Sequence, residues 1–442
     1  MQEVIGVFGL GFVGSSIAAV WLRSGANVIG YDISSERLES IKKGSKASEA
    51  DPDVEGALRE GVRSGKLDLS TDGVAVSRRS DVKFVCVPVY LQNNNNSADL
   101  SALESACSTI AKGLKRKDAV VICPSVPPGT TRKVVAGVLE RESQDNLKAG
   151  LDFDLIYSPE RILVGRAVKD IEENYPAVVS AINDPSLNRG EQIYRRVARR
   201  GVIRIPSLEA AELEKLAEGV YRDVNIALAN ELALVCDELG VDYFTLREAA
   251  NSQPYCNLHL PGFGVGGACI PVYPIFVRHS ARNTKTGLIG DSRRINDSMS
   301  LWLARSLKGN FGANEKTKIA ILGLAFRGGI ADSRLSVTYR IVDNLAREGM
   351  TNVRVHDPLI SNDSVLGNRL TGDLKGTLEW ADIAVIATDH QQYKNFEWGS
   401  LSRSTQLKVI DGRGILRGDK ASANIQVFGL GYGKYRVGLA EE

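Results

Sequence analysis

Cys269 stands in Pro261-Gly262-Phe263-Gly264-Val265-Gly266-Gly267-Ala268-Cys269-Ile270-Pro271, where the glycines on its N-terminal side carry no side chains to hide a thiol. A thiol presented this way is a candidate nucleophile. A free cysteine with a pKa near ~8.5 is only a few per cent thiolate at neutral pH, so it needs a nearby cation or base to react efficiently. The chain opens with a second chemical signature, Gly9-Leu10-Gly11-Phe12-Val13-Gly14, directly after an apolar strand and at the start of a helical segment. Gly9 permits a tight turn, Gly11 lets the backbone approach a pyrophosphate, and Gly14 lets helix and strand pack closely. Asp32 ends the next strand, at the roughly 20-residue spacing of a ribose-binding acid. Its charge opposes a 2′-phosphate, so the expected cofactor is NAD rather than NADP. Phe12, Val13 and Pro88 complete the expected cofactor-binding set. A hydride-acceptor site and a covalent catch in one chain point to an oxidation that does not stop at the aldehyde.

These residues need elements to hold them. Over the first ~200 residues, short apolar runs at Val4–Phe8, Val28–Tyr31, Val82–Val87, Val120–Cys123, Leu155–Tyr157 and Ala177–Val179 alternate with amphipathic segments, the pattern of a doubly wound α/β domain with a largely parallel sheet. The asparagine-rich stretch from Gln92 to Asn96 reads as a surface loop. From Ser207 a single helical period runs through Leu208, Leu213, Leu216, Val220, Val224, Leu228, Leu232, Val235 and Leu239 to a C-capping Gly240. Such a helix is about 45–50 Å long and is expected to bridge domains or subunits. An apolar helix near Met299–Leu307 precedes a polar segment, Gly309–Lys316, that reads as a linker. Runs at Lys318–Leu322, Val353–Val355, Ile383–Ala387 and Val409–Asp411 then predict a second, smaller α/β unit. The expected division is a Rossmann-type NAD domain over 1–203, a helical connector carrying the cysteine loop over 204–308, and a second Rossmann-like, nucleotide-type domain over 316–442.

Composition narrows the partners. With 442 residues and 43% hydrophobic content the chain has material for several cores, and three domains are expected. The 55 basic and 53 acidic residues give a formal charge of +2 without long single-sign runs, which argues against a nucleic-acid stripe or a membrane-surface tail. No run of about 18 apolar residues is present to span a bilayer, and the apolar start at Val4 begins a strand rather than a signal peptide. Cys86 and Cys123 fall in strand-like runs, and the six cysteines form no CxxC pair. His259, His279, His356 and His390 form no ligand spacing, so no metal site is expected and a cytoplasmic setting with reduced thiols fits best.

Beyond the glycine turn and the cysteine loop, the ordered series Ser125-Val126-Pro127-Pro128-Gly129-Thr130, Ser158-Pro159-Glu160-Arg161, Glu212 with Lys215 on the long helix, and Gly323-Leu324-Ala325-Phe326-Arg327 resembles the nucleotide-sugar 6-dehydrogenases over nearly the whole chain. This is the family of UDP-glucose and UDP-N-acetylmannosamine dehydrogenases. The resemblance implies oxidation of a sugar C6 alcohol to a carboxylate with two NAD⁺, through a cysteine-bound thiohemiacetal and thioester on Cys269. It implies Lys215 as the cation beside the developing oxyanion, Glu160 as general base and Ser125 as a water-orienting hydroxyl. It further implies Arg161, Gly264, Gly266, Arg327 and Arg334 as contacts to a UDP-sugar. Ser158–Gly165 and Tyr221–Leu232 look more like the UDP-N-acetylmannosamine branch than the UDP-glucose branch.

The chain also departs from the family pattern. Gly219 stands where asparagine is common, Tyr273 where aspartate is common, Tyr255 where a substrate-binding arginine is usual, and Ala268 where the acetamido-sugar subgroup has histidine. General acid–base assistance contributes ~10²–10⁴ in rate, so loss of the aspartate must be covered by Glu160 or felt in turnover. The alternatives are a UDP-glucose or UDP-N-acetylglucosamine 6-dehydrogenase, a two-electron β-hydroxyacid dehydrogenase, and a binding homologue that has lost the chemistry. A homodimer through the long helix is expected, because its apolar period offers more surface than one flanking domain can cover.

Overall fold

A computed structural model describes residues 3–44, 51–92, 97–281, 283–417 and 424–433. The Asn93–Asn96 part of the expected surface loop lies outside the described residues. The chain divides into two compact units, Met1–Glu218 with Ile275–Arg282, and Gly219–Pro274 with Asn283–Glu442.

The strands of the first unit are β1 (Val4–Phe8), β2 (Asn27–Tyr31), β3 (Leu67–Ser70), β4 (Val82–Val85), β5 (Tyr90–Leu91), β6 (Ala98–Asp99), β7 (Ala119–Ile122), β8 (Asp154–Tyr157), β9 (Ala177–Ala181) and β10 (Val202–Arg204). Eight of them form one sheet in the order β10-β9-β8-β7-β4-β1-β2-β3, and β5 pairs with β6 as a separate antiparallel ribbon. Within the large sheet every pair is parallel except β8 with β9. β4 and β7 are buried along their whole length, as strands covered by helices on both faces must be. The order reverses between β1 and β4, which opens a crevice at their carboxyl ends. Helix Phe12–Arg23 follows β1 and buries Gly14 through Leu22 against the core.

The second unit contains β11 (Ile319–Leu322), β12 (Val353–His356), β13 (Leu370–Thr371), β14 (Ile383–Ile386), β15 (Leu407–Asp411) and β16 (Ile425–Gly429). They form an all-parallel sheet in the order β13-β12-β11-β14-β15-β16, with its own reversal between β11 and β14. Two Rossmann-type sheets with a long helix between them in sequence is the fold class that the alternation of elements predicted.

The long helix spans Leu208–Leu239 and has 32 residues, about 48 Å at the usual rise. It ends as expected at Gly240, whose φ of 73° is left-handed. The Val241 N–H reaches back to the Cys236 carbonyl at 2.8 Å, closing the last turn. The expected linker at Gly309–Lys316 begins too early: helix Gly287–Phe311 runs into its first residues and stops at Gly312 with φ 67°. Leu307 is fully buried and Phe311 packs on the core, so the helical period outruns the polar residues that looked like its end.

Candidate active site

In the first unit the glycine turn has the conformation its residues predict. Gly9 takes φ 91° and its N–H donates to the Tyr31 carbonyl at 2.8 Å. A Cβ on Gly14 would overlap the Gly9 carbonyl oxygen, whereas a Cβ on Gly11 would meet nothing within 4 Å. Close packing therefore requires glycine at 14, and the backbone at 11 is bare on its open side. Gly11 is also the N-cap of helix Phe12–Arg23, with no side chain bonded to the helix's first amides. Those amides and that open backbone suit a pyrophosphate, so the turn fits a dinucleotide. Phe12 and Val13 form the first helical turn, half-buried, and Pro88 is exposed just beyond the carboxyl end of β4. Asp32 is not idle: Oδ2 accepts from Leu10 N–H at 2.8 Å and Oδ1 from Ser34 N–H at 2.9 Å. Each oxygen keeps a lone pair for a ribose hydroxyl, because a carboxylate offers about four acceptor sites.

Three more of the expected residues gather at the end of β8 and on the long helix. Glu160 follows β8, and its Oε1 is sealed from solvent without a hydrogen-bond partner. Burial pushes its carboxyl up to about 7, against the lowering pull of Lys215, the Tyr194 hydroxyl and Arg161. Lys215 is mostly buried, and its Nζ lies 3.2 Å from Glu218. Arg161 lies 3.4 Å from the other oxygen of Glu218, donates to the Pro176 carbonyl and stands over the Tyr175 ring. Ser125 is half-buried at the head of the Pro127–Thr130 turn. That turn is held by Glu212, a fully buried carboxylate of the long helix that accepts the Gly129 and Thr131 amides at 2.5 and 2.7 Å. In the sequence Glu212 is only part of a pattern; its role in fixing the serine's turn is visible in the hydrogen bonds.

In the second unit Cys269 is exposed, and its carbonyl accepts from the Val272 and Tyr273 amides at 3.0 Å each, at the head of helix Tyr273–Ser280. The glycines before it do more than uncover a thiol. A Cβ on Gly264 would press Val337 at 2.6 Å, one on Gly266 would reach the Leu335 carbonyl at 2.8 Å, and one on Gly267 would meet the Phe326 ring at 3.0 Å. The loop lies flat on the segment that carries Arg327 and Arg334, and bulk at these glycines would lift it off. Buried amides pin it there: Gly262 N–H donates to Asn230 Oδ1 at 2.9 Å, and Asn230 is itself held by Asn296 at 2.9 Å. Asn296 donates to Asp223, which also pairs with Arg293. Arg340 donates to the Val265 carbonyl at 2.7 Å, and Gly267 N–H donates to the Arg334 carbonyl at 3.0 Å.

Two of the departures prove to be neighbours. A Cβ on Gly219 would collide with the Tyr273 ring, so the small residue and the large one occupy complementary space. Tyr255 is 96% exposed.

At the carboxyl ends of β11 and β14, Gly323 repeats the first turn with φ 107° and an N–H donated to the His356 carbonyl at 2.7 Å. Arg327 is half-buried beyond that turn. Arg334 forks onto Asp332, with Nη2 2.6 Å from Oδ2. Arg413 was not singled out by sequence. It follows β15, its Nη2 lies 3.8 Å from Asp389, and a Cβ on Gly262 would come within 3.1 Å of its Nη1. The signal available was Asp411-Gly412-Arg413 directly after a buried strand.

The chain is similar over nearly its whole length to known proteins. Three models of the UDP-glucose/GDP-mannose dehydrogenase family match in order: the NAD binding domain over residues 3–198, the central domain over 209–298 and the UDP binding domain over 320–418. The UDP-N-acetyl-D-mannosamine dehydrogenase of Pyrococcus horikoshii is 37% identical over 93% of this chain and 96% of its own length. An NDP-N-acetyl-D-galactosaminuronic acid dehydrogenase of Ralstonia nicotianae is 31% identical over 95% of this chain and 98% of its own. Among solved structures, the P. horikoshii enzyme superposes with a TM-score of 0.88, covering 98% of this chain and all (100%) of that one at 34% identity. A UDP-glucose dehydrogenase from Pyrobaculum islandicum superposes with a TM-score of 0.87 at 26% identity, covering 97% of each chain. On these grounds the chain belongs to the UDP-glucose/GDP-mannose dehydrogenase family of NAD-dependent nucleotide-sugar dehydrogenases.

Proposed function

We propose that the chain oxidises the C6 alcohol of a UDP-N-acetylhexosamine, the mannosamine epimer first among them, to the uronic acid through a covalent bond to Cys269. The observation that carries this reading is an exposed thiol on a loop whose backbone is clamped by buried hydrogen bonds. The near full-length likeness to a UDP-N-acetyl-D-mannosamine dehydrogenase supports the choice of sugar. When bound, NAD supplies the hydride acceptor for each of the two oxidations. Glu160 takes the proton of the C6 hydroxyl; a carboxyl raised to about 7 by burial is a base matched to neutral pH. The Cys269 thiolate then adds to the aldehyde carbon and forms a C–S bond, and the Lys215 ammonium offsets the charge on the resulting oxyanion. Loss of a second hydride from that carbon leaves a thioester. Once Glu160 has given its first proton to solvent, it deprotonates a water oriented by Ser125; attack of that water breaks the C–S bond, which returns the thiolate and releases the carboxylate.

In the same reading Gly9, Gly11, Phe12, Val13, Gly14, Asp32 and Pro88 hold the cofactor, and Arg161, Gly264, Gly266, Arg327 and Arg334 hold the sugar nucleotide. The three functional parts are residues 1–203, 204–308 and 316–442, and the enzyme works in the cytoplasm; among the described residues no helix is long and apolar enough to cross a membrane. A second reading, a sugar-nucleotide-binding homologue without turnover, draws on the paired replacement at Gly219 and Tyr273. Counting NADH released per sugar over a panel of UDP-glucose, UDP-N-acetylglucosamine and UDP-N-acetylmannosamine decides between them. Two NADH per UDP-N-acetylmannosamine are expected, and Cys269→Ser should bind both ligands without completing the oxidation. Full uronate production by that variant refutes the covalent step, and no NADH from any sugar at high enzyme concentration favours the second reading.

A further inference from the structure

Behind Glu160 lies a small cavity of about 20 Å³, lined among others by Ser158, Glu160, Arg161, Asp170, Tyr175 and Tyr194. Two of its wall groups are buried polar atoms with no hydrogen-bond partner, Glu160 Oε1 and the Tyr194 hydroxyl. Tyr194 is 3% exposed at the end of helix Asp184–Tyr194, with its ring set edge-on to Phe84 at 6.2 Å. A buried polar atom left unpaired keeps its full desolvation penalty, so two on one cavity call for a partner. A water needs roughly 10–15 Å³ of probe-occupied space and at least two polar neighbours, and the cavity offers both. Ser158 donates its proton to the Val178 carbonyl at 2.7 Å, so it offers Tyr194 only acceptor lone pairs and cannot donate to Glu160. Asp170 does not compete either: it is held by Arg166 at 3.1 Å, by the Leu163 amide at 2.9 Å and by Asn174 at 2.7 Å.

We propose that Tyr194 is a positioning residue for Glu160, its hydroxyl joined to Glu160 Oε1 through one water seated in this cavity, so that the carboxyl group is held by its inner oxygen while its outer side stays available. This rests on the reading of Glu160 as the base. A donor reaching the carboxylate through water favours its ionised form, alongside the charges of Lys215 and Arg161 and against burial. Two buried thiols, Cys86 and Cys123, also stand nearby, and that of Cys123 is pushed well up by burial and stays neutral. Tyr194 thereby helps to keep the base ionised near neutral pH.

The test is isotope-edited infrared titration of the glutamate carboxyls in the full-length protein, with Glu160→Gln identifying the Glu160 band. Tyr194→Phe, which keeps the ring and its packing, should move the Glu160 midpoint up by about one pH unit. The acid limb of the kcat profile should move with it, while the sugar KM stays constant. Site-specific 3-fluorotyrosine at 194, a stronger donor of similar size, should move the midpoint down, which keeps the test alive if Tyr194→Phe folds poorly. An unmoved midpoint overturns the coupling whatever the activity. A moved midpoint in a protein whose turnover survives Glu160→Gln upholds the coupling and overturns the assignment of Glu160 as base.

Discussion

Gly219 and Tyr273 show how two unusual residues explain each other. A glycine inside a helix costs roughly 1 kcal/mol relative to alanine, so a buried one in mid-helix needs a packing reason. The Tyr273 ring lying where a Cβ would be is that reason. Gly219→Asn alone should therefore destabilise the protein by about 1–3 kcal/mol through overpacking, read as a lower urea midpoint. Combining it with Tyr273→Asp should restore the midpoint and, under the proposed chemistry, raise kcat by supplying a second acid–base group worth up to ~10²–10⁴. A double variant no more stable than the single one would show that the two positions are independent. Sequence alone displayed both departures, separated by more than fifty residues; their contact depends on where the head of helix Tyr273–Ser280 lies against the long helix.

Among the elements, the cysteine loop depends on a chain of buried amides. Asn230 sits at its centre, accepting from Gly262 and donating to Asn296. Asn230→Ala leaves both partners unpaired, at about 1–3 kcal/mol for each buried group. Calorimetry should show a lower Tm, and kcat should fall while NAD affinity, measured by fluorescence quenching, stays unchanged. An unaltered kcat would mean that the loop holds its shape without this anchor. The long helix was legible because its apolar period continues to a glycine cap. Short strands were not: β3, β10, β13 and β16 escaped notice, since two to five residues with polar ones interspersed give too little pattern to separate strand from loop. Helix Gly287–Phe311 was recognised only in its apolar half, because its opening turns carry Asp291, Arg293, Arg294 and Asp297.

At the level of the whole molecule, two sheets repeat one turn and use it differently. Leu10 N–H meets Asp32 Oδ2 and Leu324 N–H meets Asp357 Oδ2, each at 2.8 Å after a left-handed glycine. Asp357 is 3% exposed and also accepts the Ala325, Leu359 and Ile360 amides, with His390 at 3.2 Å, so its lone pairs are committed to the fold. Asp32 is partly exposed and retains acceptor capacity. Assembly is the remaining property at this level. The long helix leaves Tyr221 51%, Leu228 42%, Val235 47% and Leu239 69% exposed along one stripe. Large apolar groups at helical spacing favour a self-complementary contact. Sedimentation at micromolar concentration should show a dimer, and Leu228→Glu with Val235→Glu should shift it to monomer; a monomeric parent chain would remove the claim.

The order of elements, the two nucleotide-type sheets, the cofactor turn and the exposure of Cys269 on its glycine-rich loop could be read from the chain, because each rests on local signals: periodicity, glycines at turns, an acid at a strand end. What local signals cannot carry is which distant groups meet. That Glu212 holds the serine's turn, that glycines near Cys269 leave room for Phe326 and Val337, that Gly219 makes room for Tyr273, and that Glu160 shares a small cavity with Tyr194 are all consequences of packing. Burial sets the dielectric and the available partners, and with them the acidity of Glu160; neither follows from neighbours in sequence.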